Sequence, residues 1–143
     1  MVEDDPEMAR TVERVLGRYG HRSTIVRSAT EADAVSEVYD CGLFDIDLPD
    51  GNGVELAERM LDRGQLTAAV FFSACTDPDL LERAGSVGVF VAKSAGTRPL
   101  ERAVAEAVGR AAQQLASGAP DTPHARGGRS SKSGSRRKVP KPG

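Results

Sequence analysis

Along residues 1–116, short apolar runs alternate with stretches in which apolar side chains return every three or four positions. That alternation predicts an α/β fold, a parallel sheet with crossover helices. Asp5 and Pro6 give an N-cap and a first helical turn, and Met8, Val12, Val15, Leu16 and Tyr19 then mark one face of helix one up to a terminating Gly20. Ile25 and Val26 read as a brief second strand, after a first strand at the very start of the chain. Ser28 with Glu31 forms a capping box that opens helix two, expected to run to about Val38. Gly42, Leu43 and Phe44 form a third strand that runs straight into Asp45. Val54, Leu56, Ala57, Met60 and Leu61 supply the apolar positions of helix three, and residues 67–72 make the longest apolar strand. Asp77 and Pro78 cap helix four, residues 89–92 form the fifth strand, and Leu100, Val104, Ala107, Val108, Ala111 and Leu115 stripe the last helix. No internal repeat is evident.

Charge divides the chain where the periodicity stops. Residues 117–143 carry seven basic residues against the single acid Asp121, a local charge of +6, which leaves −8 on residues 1–116 within a total of −2. Gly, Ser, Pro, Arg and Lys dominate that terminal stretch, and it holds too little apolar surface to offset its ordering entropy. The expected organisation is one domain over residues 1–116 and a disordered basic tail over 117–143. The tail offers charge without aromatics for stacking, so any contact with nucleic acid or acidic protein is expected to be nonspecific and salt-sensitive. No apolar run is long enough to span a membrane, and the acidic N-terminus lacks the pattern of a secretory signal, so a cytoplasmic protein is expected. Cys41 and Cys75 lie far apart without a neighbouring His and read as reduced, structural thiols. His21 and His124 lie outside every candidate site.

The element order gathers the polar candidates. Glu3 and Asp4 follow the first strand, Asp45 the third, Ser73 the fourth and Lys93 the fifth, all at carboxyl ends, where open α/β sheets bind their ligands. Strands end in loops, so one polar residue at such a position carries no information. Four sites of matching chemistry at matching ends do.

On these residues the sequence resembles the receiver domain of bacterial two-component response regulators, over roughly residues 2–112. The blocks that carry the resemblance are Val2-Glu3-Asp4-Asp5-Pro6, Asp45-Ile46-Asp47-Leu48-Pro49-Asp50-Gly51-Asn52-Gly53, Phe72-Ser73-Ala74 and Gly88-Val89-Phe90-Val91-Ala92-Lys93-Ser94. The resemblance implies a flavodoxin-like, doubly wound five-stranded parallel sheet in the order 2-1-3-4-5 with five helices. It implies that Asp45 is the phosphoacceptor, that Glu3, Asp4 and the backbone carbonyl of Asp47 join it in holding Mg²⁺, and that Ser73 and Lys93 contact the phosphoryl group. It further implies a switch of Ser73 and Phe90 that alters the face made by helix four, strand five and helix five. The partners implied are a sensor histidine kinase or phosphotransfer protein and an unnamed downstream protein, the chain acting as a stand-alone switch and not as an enzyme.

The residue chemistry is compatible with that assignment. Three carboxylates in one crevice repel one another, so either their pKa values rise or a cation joins them. Mg²⁺ prefers hard oxygen ligands and bridges carboxylates to phosphoryl oxygens, and a carboxylate such as Asp45 can form an acyl phosphate. Each residue also has a plainer reading. Asp5 is the cap of helix one, Phe90 is as readily ordinary packing, and Lys93 alone would be a solvated strand-end charge. A degenerate receiver that binds partners without phosphorylation is the main alternative. Asp45 and Asp47 also resemble the acid pair of haloacid-dehalogenase-type phosphatases, although there the pair follows the first strand and here it runs into Leu48 and Pro49. The sequence departs from the family twice: only Met1 and Val2 precede Glu3, which implies a truncated first strand, and Ser94 follows Lys93 where many receivers carry Pro.

Overall fold

The computed structural model describes residues 1–116. The expected basic tail, including His124, lies outside the described residues. Helix α1 spans Pro6–Arg18, with the Asp5 side chain accepting hydrogen bonds from the Glu7 and Met8 amides and Pro6 in the first turn. Beyond its end Gly20 adopts φ 85°, a left-handed turn that glycine takes without steric cost. Helix α2 spans only Ala29–Asp33, with Ser28 accepting from the Glu31 amide at 3.1 Å and the Glu31 carboxylate accepting from the Arg27 amide at 2.9 Å.

Helix α2 thus stops well short of the expected Val38, and the cause lies across the fold. The Gln65 side-chain amide donates to the Val35 carbonyl at 2.6 Å, and the Tyr39 amide donates to the Gln65 carbonyl at 2.8 Å. Together they draw residues 35–39 out of helical geometry and into strand β1, Tyr39–Phe44, which begins three residues earlier than its Gly42-Leu43-Phe44 core suggested.

Beyond β1, two-residue strands β2 (Asp47–Leu48) and β3 (Gly51–Asn52) pair as a small antiparallel hairpin that the sequence pattern did not announce. Helix α3 follows over Gly53–Asp62, capped by the Asn52 side chain accepting from the Glu55 amide at 2.9 Å. Strand β4 (Leu66–Ser73), helix α4 (Pro78–Val87, capped by Asp77), strand β5 (Val89–Ala92), a short 3₁₀ turn (Lys93–Ala95) and helix α5 (Thr97–Ala116) complete the described chain.

Strands β1, β4 and β5 form a parallel ladder in that order, with Phe44 opposite Phe71 and Ser73 opposite Ala92. The first two places of the 2-1-3-4-5 order are held by single parallel bridges, Val26 to Val2 and Val2 to Phe44. The doubly wound arrangement is therefore present, with its first strand confined to the neighbourhood of Val2. An apolar core lies on each face of the sheet. One gathers Phe44, Ile46, Leu56, Met60 and Phe71 under α2, α3 and α4. The other gathers Val12, Leu16, Val70, Phe72, Leu100 and Val104 under α1 and α5. Strand β4 sends side chains into both, as a central parallel strand must, and fully burying each large apolar side chain contributes roughly 1.5–3 kcal/mol. No helix among the described residues is long and apolar enough to cross a membrane.

Candidate functional site

The ladder delivers Asp45, Ser73 and Lys93 to one edge because β1, β4 and β5 are parallel and end nearly level. Asp45 follows the last residue of β1, and the Val2 carbonyl accepts its amide at 2.9 Å. Its position is further constrained by Gly53: a Cβ built there would lie 2.0 Å from the Asp45 carbonyl oxygen. Only glycine lets α3 start so close to that backbone.

The Asp45 carboxylate is 7% exposed and shared between two donors. The Ser73 hydroxyl, fully buried, donates to Oδ1 at 2.6 Å, and the Lys93 ammonium donates to Oδ2 at 3.0 Å. The Asp47 amide adds a long contact to Oδ1 at 3.4 Å. Ser73 is itself oriented, since its oxygen accepts from the Cys75 amide at 3.2 Å. Lys93 also reaches Glu3 Oε1 at 3.0 Å, so a single ammonium bridges two nearly buried carboxylates. The other Glu3 oxygen accepts from the Asp5 amide at 3.1 Å.

Burial pushes the Glu3 carboxyl above its ordinary range, with hydrogen bonds from Lys93 and the Asp5 amide opposing the shift and the Asp45 charge adding to it. Burial acts to lower the Lys93 ammonium, but its hydrogen bonds to Glu3 and Asp45 outweigh that effect and hold its pKa above the usual value. The ammonium stays charged where it is needed to balance anions.

Carboxylate oxygens of Glu3, Asp4 and Asp45 all lie within 4.8 Å of one another, with Asp4 exposed to solvent. Three carboxylates against one ammonium leave an excess of negative charge at this sheet edge. Hard oxygen donors, crowding and an exposed member suit a small divalent cation that keeps part of its water shell. The donor set therefore fits the expected Mg²⁺.

The structure thus brings Glu3, Asp4, Asp45, Ser73 and Lys93 together. Asp47 begins β2 beside them with its side chain exposed. Phe90 lies on β5 opposite Phe71, half-buried against the α3 and α4 core. Neither cysteine forms a disulfide, Cys75 being buried beside Ser73 and Cys41 half-buried on β1. The sequence reading missed Asp50. From the hairpin tip its carboxylate accepts the Ala29 amide at 2.8 Å, the Thr30 amide at 2.9 Å and the Thr30 hydroxyl, tying the loop after Asp45 to the start of α2. Those bonds, led by the Thr30 hydroxyl, lower its pKa. A Pro-Asp-Gly turn explains an Asp by itself, so no local signal pointed to contacts some 20 residues away.

Residues 1–105 match the family model described as the response regulator receiver domain. Among solved structures, the N-terminal domain of a response regulator/sensory box/GGDEF three-domain protein from Carboxydothermus hydrogenoformans is 29% identical, with 80% of this chain and 95% of that one covered and a TM-score of 0.66. A CheY-like response regulator receiver domain protein from Methanospirillum hungatei is 23% identical over 79% of this chain and 94% of that one, with a TM-score of 0.69. The receiver domain of a LuxO-type repressor from Vibrio parahaemolyticus gives a TM-score of 0.70 at 19% identity, covering 81% and 92% of the two chains, which supports the fold alone. No curated protein matches the chain in sequence.

Proposed function

The chain belongs to the response regulator receiver family, whose members serve as phosphoacceptor signalling switches, and on that premise we propose that Asp45 is the residue that takes up the phosphoryl group. The observation that carries this reading is the shared Asp45 carboxylate, held between the Ser73 hydroxyl and the Lys93 ammonium, with Glu3 and Asp4 alongside. Glu3, Asp4 and Asp45, together with the backbone carbonyl of Asp47, would hold Mg²⁺, which supplies neutralisation of the phosphoryl oxygens. An Asp45 oxygen forms the new bond to phosphorus as the bond from phosphorus to the donor's imidazole nitrogen breaks. The imidazole keeps the electron pair and its proton balance is restored from water. Lys93 exchanges part of its carboxylate contact for a phosphoryl oxygen, and Ser73 donates its hydroxyl to the transferred group.

The donor in this reading is the phosphohistidine of a sensor kinase or phosphotransfer protein. A new dianion beside Ser73 biases that side chain toward it, and Phe90, directly on β5, repacks against the α4–β5–α5 face. A few kcal/mol of differential contact is enough to exchange the dominant population of such a two-state element. Incubation with phosphoramidate, followed by intact-protein mass, tests the uptake. One phosphoryl group is expected per chain with Mg²⁺ present and none for Asp45→Asn. Equal uptake by wild type and Asp45→Asn would overturn the assignment, and sustained Mg²⁺-dependent hydrolysis of phosphate esters would favour the phosphatase reading.

A further inference from the structure

Helix α2 is capped from two places in the sequence. The first amides of a helix have no intrahelical acceptor and must find one elsewhere. The Ser28 hydroxyl takes the Glu31 amide at 3.1 Å, and the Ser28 carbonyl takes the Ala32 amide at the same distance. The two amides ahead of them, on Ala29 and Thr30, donate instead to the Asp50 carboxylate, which also accepts the Thr30 hydroxyl. Four consecutive donors are thereby satisfied, two of them by a side chain some 20 residues away. A five-residue helix is marginal on its own, so its first turn depends on where Asp50 stands.

Asp50 stands at the tip of the β2–β3 hairpin, which has two residue pairs, Asp47 with Asn52 and Leu48 with Gly51. So short a ribbon is not stable alone. Its base is anchored, since the Gly53 amide donates to the Ile46 carbonyl at 2.8 Å and Leu48 packs in the same core as Ala29 and Ala32. Its tip, residues 49–51, is exposed, and the bonds of Asp50 fasten it to α2. The hairpin opens with Asp47, whose amide reaches the Asp45 carboxylate at 3.4 Å. A displaced tip therefore carries with it the backbone beside the three clustered carboxylates.

We propose that Asp50 is a positioning residue for the cation site: by completing the cap of α2 it fixes the hairpin, and with it the Asp47 backbone, beside Glu3, Asp4 and Asp45. The proposal rests on the reading of that cluster, with the Asp47 carbonyl, as the Mg²⁺ site. Two sites that share one movable element are coupled in both directions. A firm α2 cap raises Mg²⁺ affinity, and bound Mg²⁺ firms the cap.

The test titrates the full chain with Mg²⁺ by calorimetry at neutral pH. Asp50→Ala is expected to weaken binding about fivefold, the lower end of the range for coupled sites. Because that variant also removes a negative charge, Thr30→Val forms a second arm that keeps every charge and loses one donor to Asp50. It is expected to weaken binding about twofold, and Thr30→Ser to retain wild-type affinity. Asp33→Ala is the control for any loosening of α2, since Asp33 pairs with Arg59 and Arg63 at 3.1 Å and touches no part of the hairpin; its affinity should be unchanged. Amide exchange reads the reverse direction: Mg²⁺ should slow the Ala29 and Thr30 amides in the wild type and not in Asp50→Ala. Unaltered affinity in Asp50→Ala or Thr30→Val, an equal loss in Asp33→Ala, or no effect of Mg²⁺ on those two amides would overturn the proposal and leave the cation site standing. A wild-type chain that binds no Mg²⁺ would overturn both.

Discussion

The two sides of the sheet are built to different standards. On one side β1, β4 and β5 form a continuous parallel ladder whose central strand buries Val70, Phe71, Phe72 and Ser73 almost completely. On the other, Val26 and Val2 hold their places through single bridges above an open cavity. The site straddles this division. Asp45, Ser73 and Lys93 stand on or beside the ladder, whereas Glu3 and Asp4 stand beside the bridges. Asp45 and its hydrogen-bonding partners are thus anchored by deep packing, while two of the three carboxylates that suit a cation depend on a backbone held by a few hydrogen bonds. Lys93 joins the halves, since its ammonium pairs with Asp45 from the firm side and Glu3 from the thin one.

The largest expected effect is on the firm side. Phe71→Ala removes a fully buried ring that lies 5.9 Å from that of Phe44, and should cost about 3–5 kcal/mol in denaturant unfolding. Val2→Ala should cost less, about 1–2 kcal/mol, because only two methyl groups are lost beside an existing cavity. It should nevertheless weaken Mg²⁺ binding by displacing Glu3 and Asp4, which calorimetric titration would reveal. Equal costs for the two variants would erase the contrast between the halves.

Gly53→Ala tests how tightly the firm side holds Asp45. The new methyl group collides with the Asp45 carbonyl, so α3 must move, with a destabilisation of about 1–3 kcal/mol and a slower phosphoryl uptake. An unaltered uptake rate would show that the backbone at Asp45 tolerates that movement.

Much of this arrangement could be read along the chain. Asp45, Ser73 and Lys93 could be placed at strand ends because each stands at the carboxyl end of a short apolar run. Asp5-Pro6 and Asp77-Pro78 were legible because a helix cap is a local bargain between a side chain and nearby amides. What could not be read was set at a distance. The end of α2 is fixed by Gln65, some 30 residues on. The Asp50 carboxylate finds its donors at Ala29 and Thr30 only once the chain is folded. The sharing of Lys93 between Glu3 and Asp45 likewise required coordinates, since sequence could place the three at one sheet edge but not assign their oxygens.

Two smaller effects sharpen the comparison at the periphery. Asp50 has a lowered pKa in the folded state, so its hydrogen bonds contribute stability above its unfolded value that is lost as pH falls through the folded one. Asp50→Ala should therefore lower stability at neutral pH and flatten the acid side of the stability profile below about pH 4, where the native chain has already lost this contribution. Arg83 pairs with Glu58 at 2.8 Å between α3 and α4, but both side chains are more than 40% exposed. Arg83→Ala should cost at most about 1 kcal/mol and leave phosphoryl uptake unchanged.

The most direct measurement of the central claim is to locate the phosphoryl group itself. After reaction with a small acyl phosphate in Mg²⁺, the acid-stable peptides of the chain would be sequenced by tandem mass spectrometry. A single modification on the peptide containing Asp45, abolished by chelating the metal, is the predicted result. Modification of Asp47 or of another residue with Asp45 left untouched would contradict the account.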